Sequence, residues 1–262
     1  ANLPSTKMND KSLLLIMDHK ISKDWKFTAQ AAYFNYDQLG ASLWPWGFNS
    51  ANDSLMQRGM SNWDVLGMTQ TGQLFVNGSV QTGILTHRIL AGLDMSNKDY
   101  YHDWNQGGAL GAADFNIYAP VYGTTIIPVF DRSKSLRERG VRYYSGYKAV
   151  YVQDELGLLN DRLRLTLAGR YTQLTTGDVY NGDFKSSRFT PRAGLSFSAD
   201  KNTAFYALID QSFLENYGSD WQGKSFDPVT GTNMELGIKR DWFNGKWNTA
   251  LSVYQITRNN VL

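Results

Sequence analysis

The stretch Arg162-Leu163-Arg164-Leu165-Thr166-Leu167-Ala168-Gly169-Arg170-Tyr171 decides the fold. Side chains of a β-strand alternate between its two faces. Leu163, Leu165, Leu167 and Tyr171 therefore share one face, while Arg162, Arg164, Thr166 and Arg170 share the other. One face suits hydrocarbon and the other suits water. The same split recurs where Met234, Leu236, Ile238 and Trp242 oppose Glu235, Lys239 and Asp241. It recurs again where Trp247, Thr249, Leu251 and Val253 oppose Asn248, Ala250 and Ser252. Phe205 to Phe213 has apolar residues in both registers, so its faces stay unassigned.

The connections between such segments alternate between short and long. Short links lie at His19 to Asp24, Asn77 to Thr86, Glu155 to Asn160, Ala199 to Asn202 and Phe243 to Gly245. Long, Gly- and aromatic-rich stretches lie at Gln38 to Arg58, His102 to Gly140, Thr176 to Ser187 and Glu215 to Gly231. A chain that meanders up and down, with turns at one end and loops at the other, produces this asymmetry. It is the pattern of an outer-membrane β-barrel, with short periplasmic turns and longer extracellular loops. A soluble sandwich also alternates, but its connections follow no such rule. The expected fold is an all-β, antiparallel, up-and-down sheet of about ten strands, curved but not sealed, and larger plugged barrels of this kind have about 22 strands. Both chain ends read as cut, so residues 1–262 are expected to be part of one barrel domain.

Composition bounds the partners. With 19% charged residues and a net charge of +2, the chain is neither an acidic disordered tail nor a basic nucleic-acid-binding domain. No apolar run approaches the roughly 20 residues of a membrane helix, and Leu13 to Met17 is the longest candidate. The absence of cysteine excludes disulfides and thiolate zinc sites. Aromatics reach 14%, with 15 Tyr and 8 Trp. Trp25, Trp63, Trp242 and Trp247 fall near strand ends, where an interfacial girdle places amphipathic rings.

Catalytic constellations are not found. His19, His87 and His102 fall in or beside connections without ligand spacing, and read as solvated polar residues. Gly107-Gly108-Ala109-Leu110-Gly111 lacks the strand-to-helix context and the lysine of a phosphate cradle, and reads as a loop tip. Acidic residues show no calcium-loop spacing, so neither a metal site nor a cofactor is expected.

The second half carries a family resemblance. Gln153-Asp154-Glu155-Leu156, Leu159-Asn160-Asp161-Arg162-Leu163 and Gly169-Arg170-Tyr171 resemble the middle of TonB-dependent siderophore receptors. The match continues through Phe189-Thr190-Pro191-Arg192-Ala193-Gly194-Leu195, Gln211-Ser212-Phe213, Phe226-Asp227-Pro228-Val229-Thr230-Gly231, Glu235-Leu236-Gly237-Ile238-Lys239 and Tyr254 to Leu262. Looser matches lie at His87 to Asp94 and at Asn116 to Gly123, and the latter resembles a loop of ferric hydroxamate receptors. The resemblance implies a barrel of the Gram-negative outer membrane that imports a ferric siderophore and catalyses no covalent chemistry. Iron is then bound only through the siderophore, and the TonB energy-coupling complex acts through a plug domain that is not visible in this sequence. Pro191 is expected at a strand start, with Phe189 near the outer interface. Glu235, Lys239, Arg164 and Arg170 fall on lumen faces, where charge pairs satisfy groups that lipid cannot.

The long connections carry the functional hint. Trp44, Trp46 and Phe48 lie in one, Tyr100, Tyr101, Trp104, Tyr118, Tyr122 and Phe130 in or beside the next, and Tyr217, Trp221 and Phe226 in another. Solvent-facing loops keep so many rings when the rings pack together or bind something. Trp46, Tyr101, Trp104, Tyr118, Tyr122 and Trp221 are the candidate ligand-binding residues, because rings with phenol and indole donors suit a compact chelate with an apolar exterior. The alternative is a passive porin-like barrel, or a TonB-dependent receptor for another nutrient such as cobalamin or an oligosaccharide.

Overall fold

The computed structural model describes residues 5–111, 114–123, 125–180, 182–216, 218–224 and 226–261. Tyr217 and the two chain ends lie outside them. The elements run β1 (Lys7–Lys20), β2 (Trp25–Leu39), β3 (Ala41–Asn49), β4 (Asn52–Asn62), β5 (Asp64–Thr82), β6 (Leu85–Asp103), β7 (Gly107–Ala109) and β8 (Phe115–Asn116). A single helical turn, α1 (Leu136–Arg139), precedes β9 (Val141–Leu158), β10 (Leu163–Asp178), β11 (Gly182–Ser198), β12 (Thr203–Leu214), β13 (Val229–Trp242) and β14 (Trp247–Asn259).

Ten strands form one antiparallel sheet in the order β1-β2-β5-β6-β9-β10-β11-β12-β13-β14. Each neighbour in that order is the next long strand along the chain, so the expected meander is observed. The short links are tight. Leu159, Asn160 and Asp161 all take positive φ between β9 and β10, and Phe243, Asn244 and Gly245 do so between β13 and β14. Gly83, at φ +60°, begins the two-residue turn between β5 and β6, a conformation that glycine adopts without steric cost.

Two long stretches differ from expectation. Gln38 to Arg58 is largely the β3–β4 hairpin, and β7 and β8 from the following connection pair with β4 to extend it. Thr176 to Ser187 is mostly strand, because β10 continues to Asp178 and β11 resumes at Gly182. Its composition, with Gly177, Asp178, Gly182 and Asp183, resembles a loop, whereas ladder pairing with β9 and β11 holds it extended. Pro191 also departs from expectation, since it lies inside β11 opposite Gly169. The ladder to β12 begins only at Arg192, so the residue without a backbone donor sits where that ladder has ended.

Directly paired residues of an antiparallel sheet lie on one face. Met17, Ala29, Leu74, Leu93, Val150, Tyr171 and Phe189 thus form one apolar row from β1 to β11. Leu156, Leu165, Leu195, Ala207, Leu236 and Val253 form a second from β9 to β14. These rows assign the faces of β12, with Phe205, Ala207 and Ile209 on the apolar side. The side chains are exposed, 44% at Leu74 and 59% at Phe189, although they are large and apolar. Together these rows make a predominantly apolar belt on the outer face, as a barrel in hydrocarbon requires.

The opposite face is polar and networked. Arg170 grips Asp94 with two hydrogen bonds of 2.8 and 2.9 Å, reaching across β9 from β10 to β6, and lies near the rings of Tyr147 and Tyr151. Tyr206 donates to Glu235 at 2.6 Å, while the Lys239 ammonium stands over the Tyr206 ring. Thr28, Thr172 and Thr176 are buried on this side. Among the described residues the buried apolar side chains are few, namely Met60, Val65, Leu110 and Ala149. The sheet is held by its backbone ladders rather than by an interior core.

Candidate ligand-binding site

The long connections gather at one end of the sheet, and there a buried ionic knot fixes the segment from Trp104 to Gly140. Asp64, the first residue of β5, is fully buried. It accepts from Arg132 Nε and Nη2 at 2.9 Å, from Arg139 Nη2 at 2.8 Å and from the Gly40 backbone N–H at 3.1 Å. Arg139 also donates to Asp103 at the end of β6. Gln106 closes the knot, donating to Asp103 at 3.0 Å and to the Asp131 carbonyl at 2.8 Å. A buried carboxylate demands such compensation, and the Asp64 carboxylate holds the Arg132 guanidinium more firmly charged.

Local chemistry prepares the two arginines. Asp131 accepts the Ser133 backbone N–H, which holds its carboxyl below the usual carboxylate range. Ser135 and Glu138 form a capping box at the start of α1, which lowers Glu138 likewise. The box turns Arg139 back towards β5 and β6.

Beside the knot runs a row of rings. Trp44 stands 5.9 Å from Trp63, Trp63 stands 5.3 Å from Trp104, Trp104 stacks on His102 at 3.5 Å, and His102 stacks on Tyr143 at 5.3 Å. His102 is therefore buried rather than solvated, with neither ring nitrogen hydrogen-bonded among the described residues. Trp63 belongs to this row, at the long-connection end of the sheet. Trp25, Trp242 and Trp247 do lie at that end, with Trp242 and Trp247 directly paired.

Below the row, on the polar inner face, a pocket is lined by Lys98, Tyr100, Tyr143, Ser145, Thr176 and Glu215. The Lys98 ammonium stands 5.6 Å from the centre of the Tyr100 ring. The sequence reading passed over Lys98, Ser145 and Thr176, though a signal existed. Counting in twos from the inward-facing Asp94 reaches Ser96, Lys98 and Tyr100.

The six candidate aromatics are not gathered into one cluster. Trp104 belongs to the ring row, and Tyr122 pairs with Phe115 at 6.2 Å, under which Arg58 stacks. Trp46 lies against Gly59 so closely that a Cβ there would meet its ring at 1.8 Å. Tyr118 and Trp221 are 82% and 90% exposed in separate connections. Tyr101 pairs with Leu66 and Arg142 on the outer register, whereas Tyr100 faces the pocket. Among the described residues no group of three or more His, Cys, Asp or Glu could hold a metal ion.

Residues 2–262 match the family model of the TonB dependent receptor-like β-barrel. The chain belongs to that family. The ferrioxamine B receptor of Salmonella typhimurium is 26% identical over 94% of this chain and 34% of the relative. The metal-pseudopaline receptor CntO of Pseudomonas aeruginosa is 25% identical over 97% of this chain and 36% of the relative. The chain thus spans about a third of the length of these relatives. Among solved structures, the pyoverdine outer-membrane receptor FpvA of Pseudomonas aeruginosa superposes with a TM-score of 0.78 at 18% identity, covering 97% of this chain and 36% of that one. BauA, the ferric preacinetobactin receptor of Acinetobacter baumannii, superposes at 0.74 with 18% identity, covering 96% and 37%.

Proposed function

We propose that this chain is the barrel wall of an outer-membrane receptor that captures a ferric siderophore at its long-connection end and imports it with TonB-coupled energy. The observation that carries the reading is the ring row Trp44-Trp63-Trp104-His102-Tyr143 standing over the Lys98 and Tyr100 pocket on the inner face. Flat apolar rings with a few phenol, indole and ammonium donors suit a chelate that is apolar outside and carries oxygen acceptors. The exposed Tyr118, Tyr122, Trp46 and Trp221 form the outer approach, and the inward Tyr100 takes the inner position that Tyr101, on the outer register, does not reach.

The hydroxamate type rests on the Asn116 to Gly123 resemblance and agrees with the ferrioxamine receptors among the relatives. Iron enters as cargo inside the chelate, without protein ligands, and the protein performs no covalent chemistry. The apolar belt sits in outer-membrane lipid. The TonB complex acts through segments outside this chain. Titration of the intact receptor with ferrioxamine-type, catecholate and cobalamin ligands, followed by tryptophan fluorescence, tests the reading. Saturable quenching by the hydroxamate chelate is expected. A response confined to catecholate or cobalamin overturns the substrate class, and no saturable response to any of them overturns the importer.

A further inference from the structure

Among the polar side chains of the outer face, which include Lys148, Gln173, Gln211 and Gln255, one carboxylate stands with apolar neighbours on every side. Asp154 lies on the outer face of β9, paired with Ile89 on one side and Leu167 on the other, and flanked along its strand by Val152 and Leu156. A carboxylate among apolar, lipid-facing side chains is costly and marks a site by default. His87 meets it, with Nδ1 2.7 Å from Asp154 Oδ2, and Nε2 of the same ring lies 2.8 Å from the Thr82 hydroxyl. The chain of three runs from the exposed β5–β6 turn, at the short-turn end, into the belt. Asp154 Oδ1 is packed away from solvent without a partner among the described residues. The carboxylate therefore has one hydrogen bond for roughly four lone-pair sites, and acceptors exceed donors along the chain.

The belt is indented next to this carboxylate. At Gly169 and Ala193 the outward side chains are missing or short. Phe189 folds its ring over Gly169, where an added Cβ would meet it at 2.6 Å. The result is a mainly apolar trough whose floor and walls include Val152, Leu167, Gly169, Phe189, Ala193 and Ile209, with Asp154, Arg192 and Gln211 as its polar lining residues. It extends along the strands from Asp154 towards Phe189, away from the short turns. A lipid of the leaflet on the short-turn side has this polarity, with its head near Thr82 and His87 and a tail towards the middle of the belt.

We infer that Thr82, His87 and Asp154, with the adjoining trough, form a binding site for a membrane phospholipid whose headgroup donates hydrogen bonds, specifically an ethanolamine headgroup. Its ammonium meets the Asp154 side chain where that stays 31% exposed, together with the Thr82 hydroxyl, and one acyl chain fills the dent above Gly169 and Ala193. A choline headgroup has the same charge and no N–H donor. The site rests on the membrane placement of the belt and not on the siderophore reading.

The test uses the intact receptor, folded and saturated in turn with phosphatidylethanolamine and phosphatidylcholine of identical acyl chains. Lipids retained through detergent exchange are counted by native mass spectrometry. The expected result is a preference for ethanolamine of roughly tenfold, about 1.4 kcal/mol. Asp154→Asn should abolish that preference while keeping the shape of the site, and Ala193→Leu should reduce retention of both lipids by filling the trough. Equal retention of the two lipids by the unmodified receptor overturns the inference even if no variant folds. An undiminished ethanolamine preference in folded Asp154→Asn overturns it too. Siderophore titration of the same samples keeps the outcomes separate, because loss of either binding leaves the other readable.

Discussion

Arg139 and Asp64 are 75 residues apart in the chain and meet at 2.8 Å, the carboxylate wholly out of solvent and the guanidinium nearly so. Removing one member of a buried pair leaves the other charge uncompensated. Asp64→Ala in the intact receptor should cost about 3 to 5 kcal/mol. Hydrogen exchange should show lost protection across residues 104–140 while β9 to β14 stay protected. Unchanged exchange in that connection would mean that the knot does not hold it.

The assignment of faces makes a second prediction. Leu165 lies in the outer apolar row and Arg164 on the inner face. In lipid vesicles Leu165→Arg should destabilise the receptor by roughly 2 to 4 kcal/mol if the site is near the bilayer midplane. Arg164→Leu should cost less. Reversible denaturant unfolding measures both, and the reverse order would put the lipid on the other face.

Adjacent tyrosines offer a third. Tyr100 lines the inner pocket and Tyr101 follows the outer register. Tyr100→Ala should weaken chelate binding by about 1 to 3 kcal/mol, and Trp104→Ala by a similar amount, because anchors of this kind dominate binding. Tyr101→Ala and Trp247→Ala should leave the affinity nearly unchanged. Fluorescence titration of the four variants decides it, and equal losses at Tyr100 and Tyr101 would refute the pocket.

Acid should loosen the same connection. Asp131 and Glu138 both have folded pKa values below their unfolded ones. Their stabilisation is therefore present above the ordinary carboxylate pKa, near 4, and is lost as pH falls through the lowered folded values. Limited proteolysis of residues 131–139 should be as slow at pH 5 as at pH 7, and should accelerate below about pH 4. Acceleration already between pH 7 and 5 would point to another group.

Much of the sheet was legible from alternation. From Leu163 to Tyr171 the observed register follows the period of two, while Arg162 lies in the turn before β10 and donates to the Ala199 carbonyl. Legibility failed where the polarity of a residue is answered by a distant partner. Thr176 to Ser187 reads as loop by composition, yet ladders on both sides of β10 keep its first part extended. His102 beside Asp103 reads as surface, but its ring is sandwiched between Trp104, two residues on, and Tyr143 of β9. The knot at Asp64 was invisible, since Arg132 and Arg139 reach it only after α1 has turned the chain back.

The early end of the β11–β12 ladder has a bearing on self-association. From Gly182 to Pro191, β11 pairs with β10, and its other edge has no partner strand among the described residues. Some ten residues at about 3.3 Å each make an unpaired edge of roughly 33 Å, long enough to template addition of a foreign strand. Lys185 and Arg188 place charges along it, and Pro191 removes a donor at its lower limit. These are devices by which edges resist such pairing. Neutralising both cations, as Lys185→Val with Arg188→Val, should turn this rim into a surface on which neighbouring receptors adhere edge to edge.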